Sequence, residues 1–386
     1  EGIYELAGGT KKDPLVITVE GTVTVPRGIY ITSGYVKFTG SGTLKWKEND
    51  DYDDGYDSYL DSALGVEAGA DVTFEKVILD GNSITFYQSA FLLEGNVSLS
   101  GSTQIRNFFS RTYTGTGLGN KGVIAVYGKG VLNIYDGVSI TGNKSESGII
   151  ALYQMDDYDS ADPSLSTATV NMYGGSITGN TVQDTPFPMG VIWNWCGNLN
   201  IFGGEIIAQG GEYAVHTQGN ADGYNAATRI AGGTFTGEKN GAVCAGKEEN
   251  NKSSILIAGG VFSGKTAATV NYGTITIRGG QYTGSEYALS SNGNGSLEVY
   301  GGEFLGGTAA YQGNIQTQTQ KVIVGENKVS AQNWDKQAAL NGFKYVAIGE
   351  IPEKPAEHTH TEDAGTQTEE GIVYKCTTCG FVLRTV

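Results

Sequence analysis

The sequence predicts an all-β fold: a single-stranded right-handed parallel β-helix of about ten coils, three strands per coil, with a C-terminal cap and a small tail domain. Three observations predict it. The 386-residue chain holds 59 glycines but only 7 prolines, and the glycines lack the three-residue period of collagen. A motif that alternates apolar and polar residues on both sides of a glycine pair recurs along the chain. Between its copies lies a further apolar strand segment, which supplies the third side of each coil.

The elements follow in order. Val16, Val23, Val25, Ile29, Ile31, Val36 and Phe38 open the helix, and the short segments LGVE from Leu64 and FLLE from Phe91 continue the coiling. The motif then appears as LNIYDGVSITGN from Leu132, VNMYGGSITGN from Val170, LNIFGGEIIA from Leu199 and TRIAGGTFTG from Thr228. It recurs as ILIAGGVFSG from Ile255, ITIRGGQYTG from Ile275 and LEVYGGEFLG from Leu297. Period-two alternation reads as strand, and the glycine pair permits a sharp bend at positive φ. After the pair, Ile177, Ile206, Phe235, Phe262, Tyr282 and Phe304 share one slot, predicting a buried ladder.

The third segments are GVIAVY from Gly122, GIIALY from Gly148, GVIWNW from Gly190, YAVHT from Tyr213 and GAVCA from Gly241, continuing to Tyr287. Here the reading turns Ile124/Val126, Ile150/Leu152, Ile192/Asn194 and Ala214/His216 inward. Cys196 and Cys244 fall two coils apart, roughly 10 Å at about 4.8 Å per coil, too far for a disulfide. Past the coils, Val329 to Leu340 reads as a short amphipathic helix and FKYVAI from Phe343 as a last strand, together a cap over the open end.

The repeats, above all MYGGSITGN from Met172, resemble pectin-lyase-like and polymorphic-outer-membrane-type β-helix repeats of bacterial surface proteins. The resemblance spans roughly residues 15–325 and implies the fold and a place at or beyond the cell surface. It leaves function open, since pectinases, phage tailspikes and adhesins share the architecture.

A formal net charge of −16 argues against nucleic acid as a partner, and no apolar run is long enough to span a bilayer. The Asp set and Arg-x-Lys of β-helix hydrolases are missing, and His216 reads as an inward, packed histidine. Arg229 and Arg278 point outward without a carboxylate cluster beside them in sequence. The one candidate catalytic pair is Glu67 and Glu94, at the ends of comparable strands in successive coils. A spacing near 5 Å is what retaining glycosidases use.

The stronger expectation is ligand binding. Tyr127, Tyr153, Trp193 and Trp195 alternate with the inward residues and so form an outward aromatic column for sugar faces. Two acidic loops offer oxygen ligands to calcium. In the first, Asp50, Asp54 and Asp61 fit an EF-hand-like spacing, although Tyr52 stands where a carboxylate is wanted.

Residues 1–349 form the β-helix with its caps, 350–357 a proline-containing linker, and 358–386 the tail. In the tail, His358 and His360 precede a Cys-x-x-Cys pair, Cys376 and Cys379, ligand types suited to tetrahedral zinc. The tail resembles small Cys/His repeats that end bacterial cell-surface proteins, with Gln367 standing where their first cysteine would be. A disulfide or redox pair is the alternative. The sequence thus points to a secreted or cell-surface, non-catalytic protein that binds a glycan or host ligand. A polysaccharide-degrading hydrolase or lyase and a ligand-free spacer are the other readings.

Overall fold

The computed structural model describes residues 4–26, 28–47, 62–86, 89–111, 122–153, 167–183, 189–210, 213–219, 225–246, 253–313, 316–317, 322–334, 342–349, 364, 366–368, 371–375 and 382–385. The chain divides into two compact units, Glu1–Gly349 and Glu350–Val386.

The first unit is a right-handed parallel β-helix. Each strand is too short to hold a sheet by itself, so it bonds to the equivalent strand one coil away. The strands before the glycine pair form one sheet: Val131–Ile134, Thr169–Met172, Gly197–Ile201, Ala226–Ile230, Ser253–Ile257, Thr274–Ile277 and Ser296–Val299 pair in parallel, in that order. The strands after the pair form a second sheet, running from Thr22–Val25 through Ser139–Thr141 to Gly302–Gly306. The third segments form a return sheet, running from Leu64–Val66 through Ile124–Tyr127 and Gly190–Asn194 to Ala309–Gln312.

The glycine pair makes the corner between the first two sheets. Its second member takes φ of 81° at Gly175, 97° at Gly204, 119° at Gly260 and 106° at Gly280, a region that β-branched residues avoid. Beyond this bend the shared slot is buried as expected. Ile140, Ile177, Ile206, Phe235, Phe262, Tyr282 and Phe304 follow one another in register and face the interior. From Phe235 to Phe304 the rings stack with centroids 4.8, 4.7 and 5.0 Å apart.

Polar groups also stack inside the corner of the middle coils. Buried Asn143 and Asn180 form a short amide ladder. The Asn180 carbonyl oxygen accepts from both the backbone N–H and the Nδ2 of Asn143, at 3.0 Å each. In turn Asn143 Nδ2 donates to the Ile105 carbonyl and Asn180 Nδ2 to that of Ile140. These bonds satisfy backbone groups that a turn would otherwise leave buried and unpaired.

At the C-terminal end, Val322–Gly325 lies between Gln332–Trp334 and Tyr345–Ile348, all antiparallel. Tyr345–Ile348 also pairs antiparallel with Gly302–Gly306, so the last coil is closed by strands. This corrects the expected helix over Val329 to Leu340. Gln332–Trp334 is a strand, and residues 335–341 lie outside the described residues. The cause is local. The Asn327 side chain accepts from the N–H groups of Val329 and Ser330, turning the chain back, and Val329 is left 98% exposed.

The second unit contains a three-stranded antiparallel sheet of Thr366–Thr368, Gly371–Lys375 and Val382–Thr385. Among the described residues no helix is long and apolar enough to cross a membrane.

Candidate functional site

The return sheet positions the aromatic residues named above. Ile124, Ile150, Ile192 and Val215 follow one another in register and are fully buried, as are Val126, Leu152, Asn194 and Thr217. This corrects one assignment. Val215 and Thr217, rather than Ala214 and His216, continue the inward columns, because His216 pairs with Trp193 and Cys244 on the other face of the sheet. A slip of one residue exchanges the two faces of a strand. Here the sequence offered no defence against that slip, because Ala214 and Val215 are equally apolar and both fully buried.

The outer face of this sheet therefore carries Tyr127, Tyr153, Trp193 and Trp195, as the sequence suggested, but it is not an open platform. Tyr127 is 7% and Trp193 9% exposed. Leu92, Ala125 and Tyr127 form a small core of their own, separate from the interior. The Trp193 indole N–H donates to Gln218 at 3.1 Å. Only Tyr153 and Trp195 retain partial exposure, and they stack on each other with centroids 4.8 Å apart.

One further group on this face is held inert. The buried thiol of Cys244 is pushed up to about 12, chiefly by burial, with a hydrogen bond from Tyr213 acting the other way. A thiol so far from ionisation is no nucleophile. Cys196 is also buried.

Glu67 and Glu94 occupy equivalent places, each one residue beyond paired strands Leu64–Val66 and Phe91–Leu93. Glu67 is exposed and Glu94 half-buried, its carboxylate lying beside Gly128 of the next coil. Asp50, Asp54 and Asp61 lie outside the described residues, as do His358, His360, Cys376 and Cys379. Among the described residues no three His, Cys, Asp or Glu side chains gather as a metal site would require.

A second outward surface escaped the sequence reading. It lies on the sheet before the glycine pair. Tyr135, Tyr173 and Phe202 each follow the last strand residue of successive coils, and their backbone N–H groups bond to Leu99, Ile134 and Met172 one coil back. The rings stack outside the barrel wall with centroids 5.0 and 5.2 Å apart and planes within 9°. Phe202 is 42% exposed.

Two residues earlier on the same face runs an asparagine ladder. Asn171 Nδ2 donates to Asn133 Oδ1, and Asn200 Nδ2 donates to Asn171 Oδ1, both at 3.0 Å. Amides and aromatic rings thus alternate on three successive coils. The signal was present in the motif itself, as the aromatic immediately before the glycine pair in NIYDG, NMYGG and NIFGG.

Neither a protein-family model, nor a curated protein, nor a solved structure matches this chain. The site must be read from its own chemistry. Rings packed at about 5 Å turn most of their faces toward each other, so the stack offers mainly ring edges along its length. Asn171 spends one donor and one acceptor on its neighbours, while Asn133 accepts one of these bonds and Asn200 donates the other, so each amide keeps capacity for a ligand. Such a surface suits a ligand that is flat, polyhydroxylated and repetitive.

Proposed function

We propose that this protein is a secreted or cell-surface, non-catalytic β-helix that binds glycans, related through its MYGGSITGN-type repeats to the pectin-lyase-like β-helices of bacterial surface proteins. The observation that supports this reading best is the outward strip of Asn133, Asn171 and Asn200 beside Tyr135, Tyr173 and Phe202. Amides arranged at the coil spacing match repeating hydroxyls, and the partly exposed aromatic column beside them suits the C–H groups of a pyranose. The partly exposed pair Tyr153 and Trp195 is a secondary contact.

A polysaccharide array probed with the purified protein, reading retention and released reducing ends or unsaturated products, tests the proposal. Retention without turnover, weakened by Phe202→Ala or Asn171→Ala, is the expected result. Turnover abolished by Glu67→Gln or Glu94→Gln would instead make the protein a glycoside hydrolase or lyase. Silence in both channels would leave a ligand-free spacer.

The tail is proposed to hold zinc through Cys376 and Cys379 with His358 or His360, since a unit of this size gains little stability from apolar burial. Stoichiometric zinc in the purified protein, lost in Cys376→Ser, is the expected outcome. The acidic loop with Asp50, Asp54 and Asp61 is proposed to bind calcium, which calcium titration monitored by calorimetry tests directly.

A further inference from the structure

When glycine follows asparagine, its backbone nitrogen can close on the side-chain carbonyl carbon of the asparagine, because no Cβ obstructs the approach. Among the described residues, Asn240 with Gly241, Asn292 with Gly293 and Asn294 with Gly295 are such pairs. The fold treats them differently. Gly241 opens the buried return strand Gly241–Ala245, and a Cβ there would collide with the carbonyl oxygen of Thr266. Gly295 is pressed against Val270 and Tyr272, where a Cβ would collide as well. Gly293 is exposed, with φ of 91° and open space where a Cβ would project.

The turn that carries Gly293 also arranges the groups such a closure would use. Asn292 Oδ1 accepts from the Asn294 N–H at 3.1 Å, a bond that draws electrons from the carbonyl carbon and stabilises negative charge on the oxygen. The Gly293 N–H is directed at Ser291 Oγ at 3.3 Å, and that hydroxyl in turn donates to the Gly295 carbonyl at 3.5 Å. Nucleophile, electrophile and oxyanion donor therefore lie within three consecutive residues.

We infer that Asn292 is a site of self-modification, at which the chain converts its own asparagine to aspartate or isoaspartate with water as the co-reactant. The Gly293 nitrogen gives its proton to solvent base and bonds to Asn292 Cγ. The carbonyl electron pair moves onto Oδ1, facing the Asn294 N–H, then returns and expels Nδ2, which takes up a proton and leaves as ammonia. Water adds to the five-membered imide and breaks one of its two carbonyl bonds to the Gly293 nitrogen. Opening at Cγ leaves aspartate, and opening at the main-chain carbon leaves isoaspartate. Nothing is oxidised or reduced.

The product matters because of what Asn292 holds. Its Nδ2 donates to Asn271 Oδ1 at 3.4 Å, and Asn271 Nδ2 donates to Cys244 Sγ at 3.5 Å. A carboxylate has no donor to offer Asn271 Oδ1, so the Asn271 amide turns over, presenting Nδ2 to residue 292 and Oδ1 to Cys244. One new negative charge at an exposed turn thus reverses a hydrogen-bonded column that reaches a buried thiol. The inference is independent of the glycan reading, since this column lies on the return sheet and the Asn133 strip on another.

Peptide mass mapping of the full chain, freshly purified and after storage at pH 8, tests it. In the folded protein Asn292 is expected to deamidate roughly tenfold faster than Asn240 or Asn294, a modest ratio because water competes for an exposed oxyanion contact. Storage in water enriched in heavy oxygen should add one heavy oxygen per event, matched by the ammonia released. In denaturant, where the turn is gone, Asn292 and Asn294 should react at equal rates. Asn292→Gln should leave residue 292 unmodified, because closure would need a larger ring. Asn292→Asp should reproduce the anion-exchange shift of the aged protein and the displaced Asn271 side-chain amide resonance.

An unmodified Asn292 in the stored, folded chain would overturn the inference, as would Asn240 or Asn294 reacting as fast. A preference for Asn292 that persisted in denaturant would overturn the role of the turn. Modification that left the Asn271 amide resonance in place would overturn the reversal of the column.

Discussion

Two columns of rings run along this solenoid at nearly the same pitch, one inside and one outside. Phe235, Phe262, Tyr282 and Phe304 stack in the interior at 4.7–5.0 Å, and Tyr135, Tyr173 and Phe202 stack on the outside at 5.0–5.2 Å. The coil repeat imposes the spacing on any column, so stacking by itself says nothing about function. What separates the two is exposure: 0% for Phe262 and 42% for Phe202. The inner rings exchange water for one another, whereas the outer ones stay partly exposed to it.

Truncating the inner column should therefore have the largest effect in the molecule. Phe262→Ala removes a ring packed between Phe235 and Tyr282, and a buried Phe→Ala costs about 3–5 kcal/mol. The expected result is a lower denaturation midpoint for the β-helix with ligand retention at low temperature unchanged. Retention lost while the midpoint holds would mean that the inner column shapes the binding face directly.

The asparagine ladders repeat the comparison with hydrogen bonds. The inner pair, Asn143 and Asn180, is wholly buried and ties down the carbonyls of Ile105 and Ile140. Asn180→Ala strips a buried carbonyl and a buried amide of their partners, a loss of about 2–3 kcal/mol. Equilibrium unfolding should show it clearly. A loss below 1 kcal/mol would mean that water takes over the vacated bonds.

This contrast also explains what the sequence made legible. Period-two alternation around glycine pairs marks strands with one wet face, so the sheet before the glycine pair and the inner slot after it could be read residue by residue. The return strands could not. Gly190–Asn194 and Gly241–Ala245 are buried on both faces, so their composition carries no alternation and does not distinguish Val215/Thr217, which face inward, from Ala214/His216. The same uniform burial hides Tyr127 and Trp193, whose outward direction was correct but whose accessibility was not. The cap failed for a different reason. Apolar residues at helical spacing between Val329 and Leu340 lost to a turn that Asn327 builds locally. The Tyr135 stack needed the register across coils, which repeat spacings irregular by loop insertion conceal.

The covered outer face of the return sheet makes a pH-dependent prediction. Burial holds the Cys244 thiol neutral up to about pH 12, while the unfolded chain would release that proton near 9. Between these values the unfolded state binds fewer protons than the folded one, so stability must fall as pH rises. By pH 10 the loss from this thiol is about 1–2 kcal/mol. It should appear as a difference in alkaline slope between the wild type and Cys244→Ala. The folded wild type should also leave this thiol unlabelled by a thiol reagent at pH 8. Fast labelling of Cys244 in native buffer would show that the face opens and that its aromatics are within reach of ligands after all.

The smallest stability effects belong to the outer columns. Asn171 exchanges hydrogen bonds with Asn133 and Asn200 on a half-buried surface, where water can replace each lost partner. Phe202 stacks on Tyr173 and is 42% exposed. Asn171→Ala and Phe202→Ala should each shift unfolding by about 0.5 kcal/mol or less, as surface changes generally do. Their expected signature lies elsewhere, in glycan retention several-fold weaker at unchanged stability. That dissociation distinguishes a surface kept for a partner from one kept for the fold. If both variants unfolded as readily as Phe262→Ala, the outer stack would be a second structural ladder, and the binding face would have to be sought at Tyr153 and Trp195.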